Sequence, residues 1–442
     1  MSTRSAAAWV SRDARLVIAT RALRTFGYGC TSVLLAAMLA EDGDSPVQVG
    51  LLLAVAAVGS VLASILMGVF ADRFGRRNSL LLTSGLMAAA GVVFALCESY
   101  PLLLIAAFVG TISPSTNDNT PFSGVEQAIL AQTCPTERHT SLFAGYNMTA
   151  LAAGALGALA AAGLGLIPDV EPGDAAFAVY AVIAVTIAVL FLRLSPHAET
   201  PRATYQSPVP AEASEVAANN GQSAAPARAH RRMPRPVMRL AGLFALDAFA
   251  GGLTVQAILA LWFQQRYGAS ISELGLLFFA TNLLSALSQA LAPLLAARRG
   301  LLTAMLLPHF VSNILLLCVP IAPSFGLAAA LLLVRQTLSK IDVPARQAFT
   351  AGIVGPEDRT AAASLTTVAR SVAVSASPLT SSLLLTGPLI ACGALLLIGG
   401  GLAVVYDVSM WRSFRDLPIA KHITAPLDRP PPPHHDRTNR ER

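Results

Sequence analysis

The amino-acid sequence predicts an all-α integral membrane protein, with twelve transmembrane helices in two parallel repeats of six. Three observations lead to this fold class: an apolar composition, the regular spacing of apolar segments, and an internal repeat. Hydrophobic residues make up 54% of the 442 residues, and charged residues make up only 13%. Soluble proteins carry about 25% charged residues, so this much apolar chain requires a lipid bilayer around it.

Apolar segments long enough to cross a bilayer follow one another along the whole chain. Each crossing needs about 20 residues. The segments lie at 16–40, 48–71, 78–97, 101–132, 141–167, 174–194, 237–263, 272–297, 301–321, 324–350, 360–385 and 387–410. Arg4, Arg12 and Arg15 precede the first segment, as basic residues do in a signal peptide. The segment lacks a small-residue cleavage site, however, so we expect a retained helix.

Basic residues mark every second loop between these segments. The odd-numbered loops are mainly acidic and contain Arg266 as their one basic residue. The even-numbered loops contain Arg73, Arg76, Arg77, Arg138, Arg298, Arg299 and Arg359. Because basic loops stay on the cytoplasmic side, we predict a multi-pass protein of the cytoplasmic (inner) membrane, N-in and C-in.

The apolar segments divide the chain into five parts. Two polar stretches, one in the middle and one at the end, lack apolar periodicity and are predicted to be disordered. The parts are a cytoplasmic N-terminus (1–15), an N-terminal six-helix bundle (16–194), a cytoplasmic linker (195–236), a C-terminal six-helix bundle (237–410) and a cytoplasmic tail (411–442).

Residues of the first half recur in the same order about 220 to 225 positions later. The matching pairs are Ser45/Ser270, Gly50/Gly275, Arg73/Arg298, Gly75/Gly300 and Gln127/Gln347. A shift of six helices preserves orientation across the membrane. The repeats are therefore parallel, and we expect a substrate site between the two halves.

A motif of glycines and charged residues lies between the second and third segments. It reads Gly68-Val-Phe-Ala-Asp72-Arg73-Phe-Gly75-Arg76-Arg77. This motif resembles the GxxxDRxGRR motif of the major facilitator superfamily, and the resemblance covers about residues 16–410. It implies a secondary transporter that works by alternating access, in which Gly68, Asp72, Arg73, Gly75, Arg76 and Arg77 form a cytoplasmic latch. The residues alone leave open that the arginines only determine topology.

The fifth segment is rich in glycine, at Gly145, Gly154, Gly157 and Gly163. This pattern resembles the glycine-rich helix of bacterial drug/proton antiporters, although the Gly-Pro step of that helix is missing here. The resemblance to this branch implies coupling to protons and efflux.

Ionisable residues within a spanning segment cost at least about 2.5 kcal/mol each on insertion scales, so each is paired or functional. Four cations and four anions fall within the segments: Arg24, Asp118, Glu126, Asp247, Arg335, Lys340, Asp342 and Arg370. We expect these charges around a polar cavity, with all except Arg24 on the substrate or proton pathway. Asp118, Asp247 and Asp342 are the candidate proton carriers. His309 is expected to add a hydrogen bond in the pore or to hold helices together.

The fourth segment is too long for one crossing. Residues 101–133 would form a helix of about 50 Å, against a hydrocarbon core of about 30 Å. The polar stretch 113–121 includes Pro114 and Pro121, and Pro344 lies near the corresponding position of the tenth segment. Paired interruptions predict a binding cavity. The alternative is that the fourth helix ends near Gly110 and the polar stretch is a cytoplasmic loop.

These observations favour a secondary active transporter of a small organic molecule, coupled to protons and working in efflux. Uptake or exchange of an anionic solute is the alternative, and a transporter-like receptor is a remote one. No catalytic motif, P-loop or metal-ligand spacing is present, so we predict no enzyme activity, no cofactor and no metal. The expected partners are the substrate, the proton and the lipid bilayer, without nucleic acid, and the chain is expected to be a monomer.

Overall fold

A computed structural model describes residues 10–41, 45–110, 112–113, 121–133, 139–199, 235–289, 291–343, 345–346, 349, 359–386 and 388–416. All regular elements within these ranges are helices. Nine candidate spans in the described part are long and apolar enough to cross a membrane, and one of them, Pro236–Tyr267, runs across a turn between two helices. The shorter apolar helices Tyr100–Val109 and Phe325–Gln336 and the long helix Arg359–Leu384 lie in the remaining predicted spans, so the twelve-helix membrane fold is confirmed.

The first half contains seven α-helices in its described part. They are α1 (Arg12–Glu41), α2 (Pro46–Phe74), α3 (Arg76–Leu96), α4 (Tyr100–Val109), α5 (Pro121–Thr133), α6 (His139–Leu164) and α7 (Pro172–Leu192). A short 3-10 helix, Pro196–Ala198, follows α7. Because α4 and α5 share the fourth span, these helices account for six crossings.

The second half repeats this order with more interruptions. Its described helices are α8 (Arg235–Gly252), α9 (Gln256–Tyr267), α10 (Ile271–Gln289), α11 (Ala292–Arg299), α12 (Leu301–Cys318), α13 (Phe325–Gln336), α14 (Arg359–Leu384), α15 (Pro388–Ala391) and α16 (Ala394–Phe414). A turn at 253–254 separates α8 from α9 within the seventh span.

The fourth and tenth spans are both interrupted. In the fourth, α4 ends before Gly110 and α5 begins at Pro121. Both α4 and α5 pack on α2 and α3, so α5 continues the span inside the bundle rather than lying in a loop outside it. In the tenth, α13 ends at Gln336 and residues 337–341 form turns. Pro344 and Asp118, which the sequence associates with these breaks, lie outside the described residues.

The repeat seen in the sequence builds the same local structure twice. Ser45 begins α2 with a capping box, in which its hydroxyl accepts from the Gln48 amide while the Gln48 side chain accepts from the Ser45 amide. Ser270 and Glu273 form the same reciprocal pair at the start of α10, with distances of 2.8 and 3.3 Å. Such a box satisfies two amides that a helix start otherwise leaves without partners.

The two halves touch through helix pairs that the repeat relates to each other. Helix α2 packs on α14, and its counterpart α10 packs on α6. A Cβ atom added to Gly50 would lie 2.1 Å from Cβ of Ser382, and one added to Gly275 would lie 2.6 Å from Cβ of Ala162. Only glycine allows this approach. We call this end of the bundle, where α1 leads into α2 and α9 leads into α10, the closed end.

In the described part of the chain, the hydrophobic cores combine both halves at the closed end and stay within each half at the other. One cluster of buried apolar side chains combines both halves, from Val33 and Leu53 to Trp262 and Phe278. A second cluster belongs to the first half alone, and a third to the second half alone. We call the end held by these two separate cores the opposite end.

Candidate functional site

A cavity of about 270 Å³ lies within the second half, between α8, α9, α10, α12, α13 and α14. Five of the predicted pathway residues line this cavity: Asp247, Arg335, Lys340, Asp342 and Arg370. Gln256 also lines it and donates to the Ser32 hydroxyl of the first half at 3.0 Å. The cavity therefore reaches the contact between the halves.

Asp247, on α8, is the centre of the charge network beside the cavity. Its carboxylate is 2.8 Å from Arg346, 3.1 Å from Arg370 and 3.4 Å from Nε2 of His309. Arg346 also reaches Asp342 at 3.2 Å. Positive or protonatable groups from three separate segments thus surround this one carboxylate. They compensate the negative charge of Asp247, which would otherwise be costly to bury.

His309, on α12, connects this network to a second buried carboxylate. Its Nδ1 atom lies 2.8 Å from Asp407 of α16, and the Asn313 amide donates to the same carboxylate at 2.9 Å. When Asp407 is ionised it only accepts, and Nδ1 then carries the hydrogen in this contact. The Asn313 amide also lies 3.1 Å from Nδ1. The ring edge of His309 also meets Tyr406, with 5.7 Å between ring centroids.

Two cations on the cavity wall form no ion pair in the described part of the chain, although Asp342 attracts one of them, Lys340, from nearby. Arg335 donates to the neighbouring Gln336 side chain at 3.0 Å, and its Nε atom is buried without a hydrogen-bond partner. Lys340 forms no ion pair with a described residue. The wall carries Arg335, Lys340, Arg346 and Arg370 against Asp247 and Asp342. Its charge is therefore positive even when His309 is neutral.

The buried charges of the first half form a separate cluster that is less exposed than the network beside the cavity. Arg24 and Glu126 make a bidentate salt bridge of 2.7 and 2.8 Å, and neither side chain is exposed. The Tyr146 hydroxyl donates to the same carboxylate, and the Arg24 guanidinium lies over the Phe122 ring. Glu126, which the sequence places on the substrate or proton pathway, is thus fully enclosed and does not line the cavity.

Three charged residues of these clusters were not among the site residues predicted from the sequence. Arg21 lies over the ring of Tyr146, Arg346 binds two aspartates, and Asp407 binds His309. All three lie within or beside predicted spans, so the criterion that identified Asp247 would have identified Asp407 as well. Asp342 lies only four residues from Arg346, but Asp247 lies 99 positions from Arg346 and His309 lies 98 from Asp407, so no local pattern reveals those two pairs.

The predicted latch loop binds within the first half. Gly75 adopts a φ of +92°, which favours glycine, and α3 starts directly after it. The Glu199 carboxylate accepts from the backbone amides of Arg76 and Arg77 at 2.7 and 3.0 Å. Their guanidinium groups bind Gln132 and the carbonyls of Ala198 and Leu192. Arg73 is exposed, while the surroundings of Gly68 and the side chain of Asp72 lie outside the described part.

The start of the predicted linker is folded against this loop. The Ser195 amide donates to Asp13 at 3.0 Å, and the Ser195 hydroxyl donates to the same carboxylate. Ala198 is buried in the core of the first half. Residues 195–199 therefore belong structurally to the first bundle, while the linker from 200 to 234 lies outside the described residues.

Comparison with known proteins agrees with this geometry. An uncharacterised membrane protein of Saccharomyces cerevisiae, YJR124C, is 26% identical over 389 residues, which cover 83% of this chain and 87% of the yeast protein. Two of the similar solved structures are the xylose transporter XylE from E. coli in an inward open conformation and the nucleoside transporter NupG. XylE has a TM-score of 0.67 and 16% identity, covering 90% of this chain and 95% of its own. NupG has a TM-score of 0.66 and 13% identity, covering 92% and 100%.

At these identities the solved structures share the fold with this chain. The sequence model of the Major Facilitator Superfamily matches residues 17–378, which is most of the chain and includes both halves. The fold, the parallel repeat and the loop between α2 and α3 agree with that match. This chain belongs to the Major Facilitator Superfamily, and it is a membrane transporter rather than an enzyme.

Proposed function

We propose that this transporter carries a small organic anion across the membrane by alternating access, coupled to protons. The observation that carries the proposal is the presence of Arg335 and Lys340 on the cavity wall without an ion pair to any described residue. We further propose that Asp247, Asp342 and Arg370 complete the binding and proton pathway.

A cation inside a membrane protein requires a counter-charge or water. Arg346 and Arg370 have theirs in Asp247 and Asp342. Arg335 and Lys340 border a cavity that holds a molecule of a few heavy atoms, so an anion there would supply the missing charge. Arginine also matches carboxylate and phosphate geometry with two parallel hydrogen bonds.

The positive charge of the cavity wall argues against cationic and neutral substrates. A cationic drug, expected from the resemblance to drug/proton antiporters, would place a further positive charge beside Arg335 and Lys340. A neutral solute, such as the D-xylose named for one similar structure, would leave both cations uncompensated. The charge of the cavity therefore supports the anionic solute over efflux of a cationic drug.

The contacts between the halves support an assignment of the conformational state. If both termini lie on the cytoplasmic side of the membrane, the closed end faces outward and the opposite end faces the cytoplasm. We therefore propose that the structure represents an inward-facing state of a monomeric carrier, in which the latch arginines bind within their own half. The separate cores at the opposite end support this assignment.

A ligand panel tests the proposal on protein purified in detergent. The panel pairs small carboxylates, phosphates and sulfonates with neutral amides and alcohols of the same shape. We expect the anions alone to raise the melting temperature, because a ligand that binds only the folded state stabilises it. Arg335→Gln should weaken their binding by about 30-fold or more, the range for removing one partner of a buried charged pair.

Arg298→Gln is the matched control, because Arg298 is exposed at the end of α11. It should bind the anions as the wild type does. Equal stabilisation by the neutral compounds, or unchanged anion affinity in Arg335→Gln, would contradict an anionic substrate at this wall.

A further inference from the structure

We propose that His309, held between Asp407 and Asp247, is a proton-binding site whose proton binds together with the anion, so that both cross the membrane in the same direction. This inference rests on the proposed anion function. It names the proton site and makes the coupling symport rather than exchange.

The placement of the ring is the first argument. Nδ1 lies 2.8 Å from Asp407, and Nε2 lies 3.4 Å from Asp247. A neutral imidazole has one N–H and can donate to only one carboxylate. The protonated ring carries an N–H on each nitrogen, one for Asp407 and one directed to the side of Asp247, and its charge attracts both acids. The two acids on α8 and α16 therefore suit the charged form.

The charges around the ring give the second argument. Three acids face it or its neighbours: Asp407 from α16, Asp247 from α8, and Asp342 beside Arg346. The arginines that compensate them are Arg346 and Arg370. Asn313 and Tyr406 complete the surroundings without adding a charge. Within this ion-paired group the acids exceed the arginines by one, and a proton on His309 balances them. Arg335 and Lys340, on the same cavity wall, form no ion pair with a described residue, although Asp342 also attracts Lys340.

The third argument connects the proton to the substrate. Arg370 binds Asp247 and also lines the cavity, where its side chain is 32% exposed. An anion bound at Arg335 and Lys340 would attract Arg370 and weaken its hold on Asp247. It would also add negative charge near His309, and a nearby opposite charge favours the charged form of a titrating group.

The direction of coupling follows from this geometry. If the anion strengthens binding of the proton, then the proton strengthens binding of the anion by the same factor. The loaded carrier therefore contains both, and loss of the proton to water on one side promotes release of the anion there. Exchange of substrate for protons would require competition between them, which a cation in this cavity would cause and an anion would not.

Protonation of His309 is tested first without a ligand. The ring nitrogens of histidine are observed by NMR in 15N-labelled protein, and His309→Gln identifies the signal. We expect both ring nitrogens of His309 to carry hydrogen at neutral pH in the wild type, and one of them in Asp407→Asn. A neutral ring in the wild type, unchanged by Asp407→Asn, would overturn the proton site.

Coupling is then tested with inorganic sulfate, whose charge stays constant across the titration of histidine. Sulfate affinity is measured by calorimetry from about pH 5 to 8 and beyond, until the His309 signal shows loss of its proton. In the wild type we expect affinity to fall at least fivefold across that change, the lower range of coupling between sites being about fivefold. His309→Gln should bind sulfate weakly at every pH.

His197→Gln is the control, because His197 is exposed on the 3-10 helix outside the network. It should keep the pH dependence of the wild type. If His309→Gln does not fold, Asp407→Asn serves in its place and should lose the dependence in the same way. Sulfate binding that needs Arg335 but ignores pH would overturn symport and leave the anion proposal intact. Absence of sulfate binding in the wild type would overturn both.

Discussion

Arg24 and Asp247 occupy equivalent positions in the two repeats and carry opposite charges. Arg24 lies in Leu-Arg-Thr-Phe on the first helix of its half, and Asp247 lies in Leu-Asp-Ala-Phe. Each binds the fourth span of its own half, Arg24 through Glu126 at 2.7 Å and Asp247 through Arg346 at 2.8 Å. The first pair is fully enclosed, whereas the second borders the cavity. The equivalent bridge is thus enclosed in one half and part of a network beside the cavity in the other.

Removal of Arg24 should destabilise the protein. Arg24→Met leaves Glu126 as an uncompensated buried charge, which costs about 3–5 kcal/mol, so we expect a lower melting temperature in detergent. The double variant Arg24→Met/Glu126→Met should recover part of the loss. The control is Arg415→Ala, since the pair of Arg415 and Asp416 is exposed and such pairs contribute about 0–1 kcal/mol. An equal melting temperature for Arg24→Met and the wild type would contradict a structural role.

Closure of the halves should depend on Gly50 and Gly275. Gly50→Ala puts a Cβ atom where Ser382 and the Pro378 carbonyl lie, and Gly275→Ala does the same against Ala158 and Ala162. We expect both variants to transport more slowly and to expose Ser272→Cys, at the closed end, to a water-soluble thiol reagent. Gly401→Ala is the control, because a Cβ there meets no atom within 4 Å. Unchanged labelling in the first two variants would show that the closed end tolerates a wider gap.

The latch motif should act on the transport cycle rather than on folding. We expect Asp72→Ala to lower the transport rate more than the amount of protein in the membrane, because a latch alters the balance between two states. Initial rates divided by the amount of purified protein measure this. Arg412→Ala, at the end of α16 and far from the motif in sequence, is the control. Failure of Asp72→Ala to accumulate would make Asp72 structural.

The N-in and C-in topology predicts which loops face outward. In a background with all five cysteines replaced, Glu98→Cys should react with an impermeant thiol reagent added to intact cells. Arg299→Cys should react only after the membrane is opened. Both positions are exposed and lie at different ends of the bundle, Glu98 in the loop after α3 and Arg299 at the last residue of α11. The reverse labelling pattern would contradict this topology and would place the closed end on the cytoplasmic side.

The spans and the repeat could be predicted from the sequence because both depend on local properties. A helix in lipid needs an unbroken run of apolar residues, and Ser45 and Ser270 cap their helices through residues only three positions away. The interruption of the fourth span could be predicted for the same reason, since polar residues and prolines mark it directly.

The pairing of charges could not be predicted, because partners are distant in sequence. Glu126 lies 102 positions from Arg24, and Asp407 lies 98 positions from His309. Counting cations against anions indicated that most would pair, but not which ones. Arg335 could equally have bound Asp247 or Asp342. Its place at the end of α13, beside turns rather than helix, directs it to the cavity wall instead.

The docking of residues 195–199 sets where the chain can be cut or extended. Glu199 accepts from two amides at the start of α3, and Ser195 binds Asp13 at the start of α1. A fluorescent protein or protease site inserted between Ser195 and Glu199 would pull this carboxylate away from the Arg76 loop. If the transporter is split into two fragments, the first fragment should therefore include every residue up to Glu199. Insertions should be placed after Glu199.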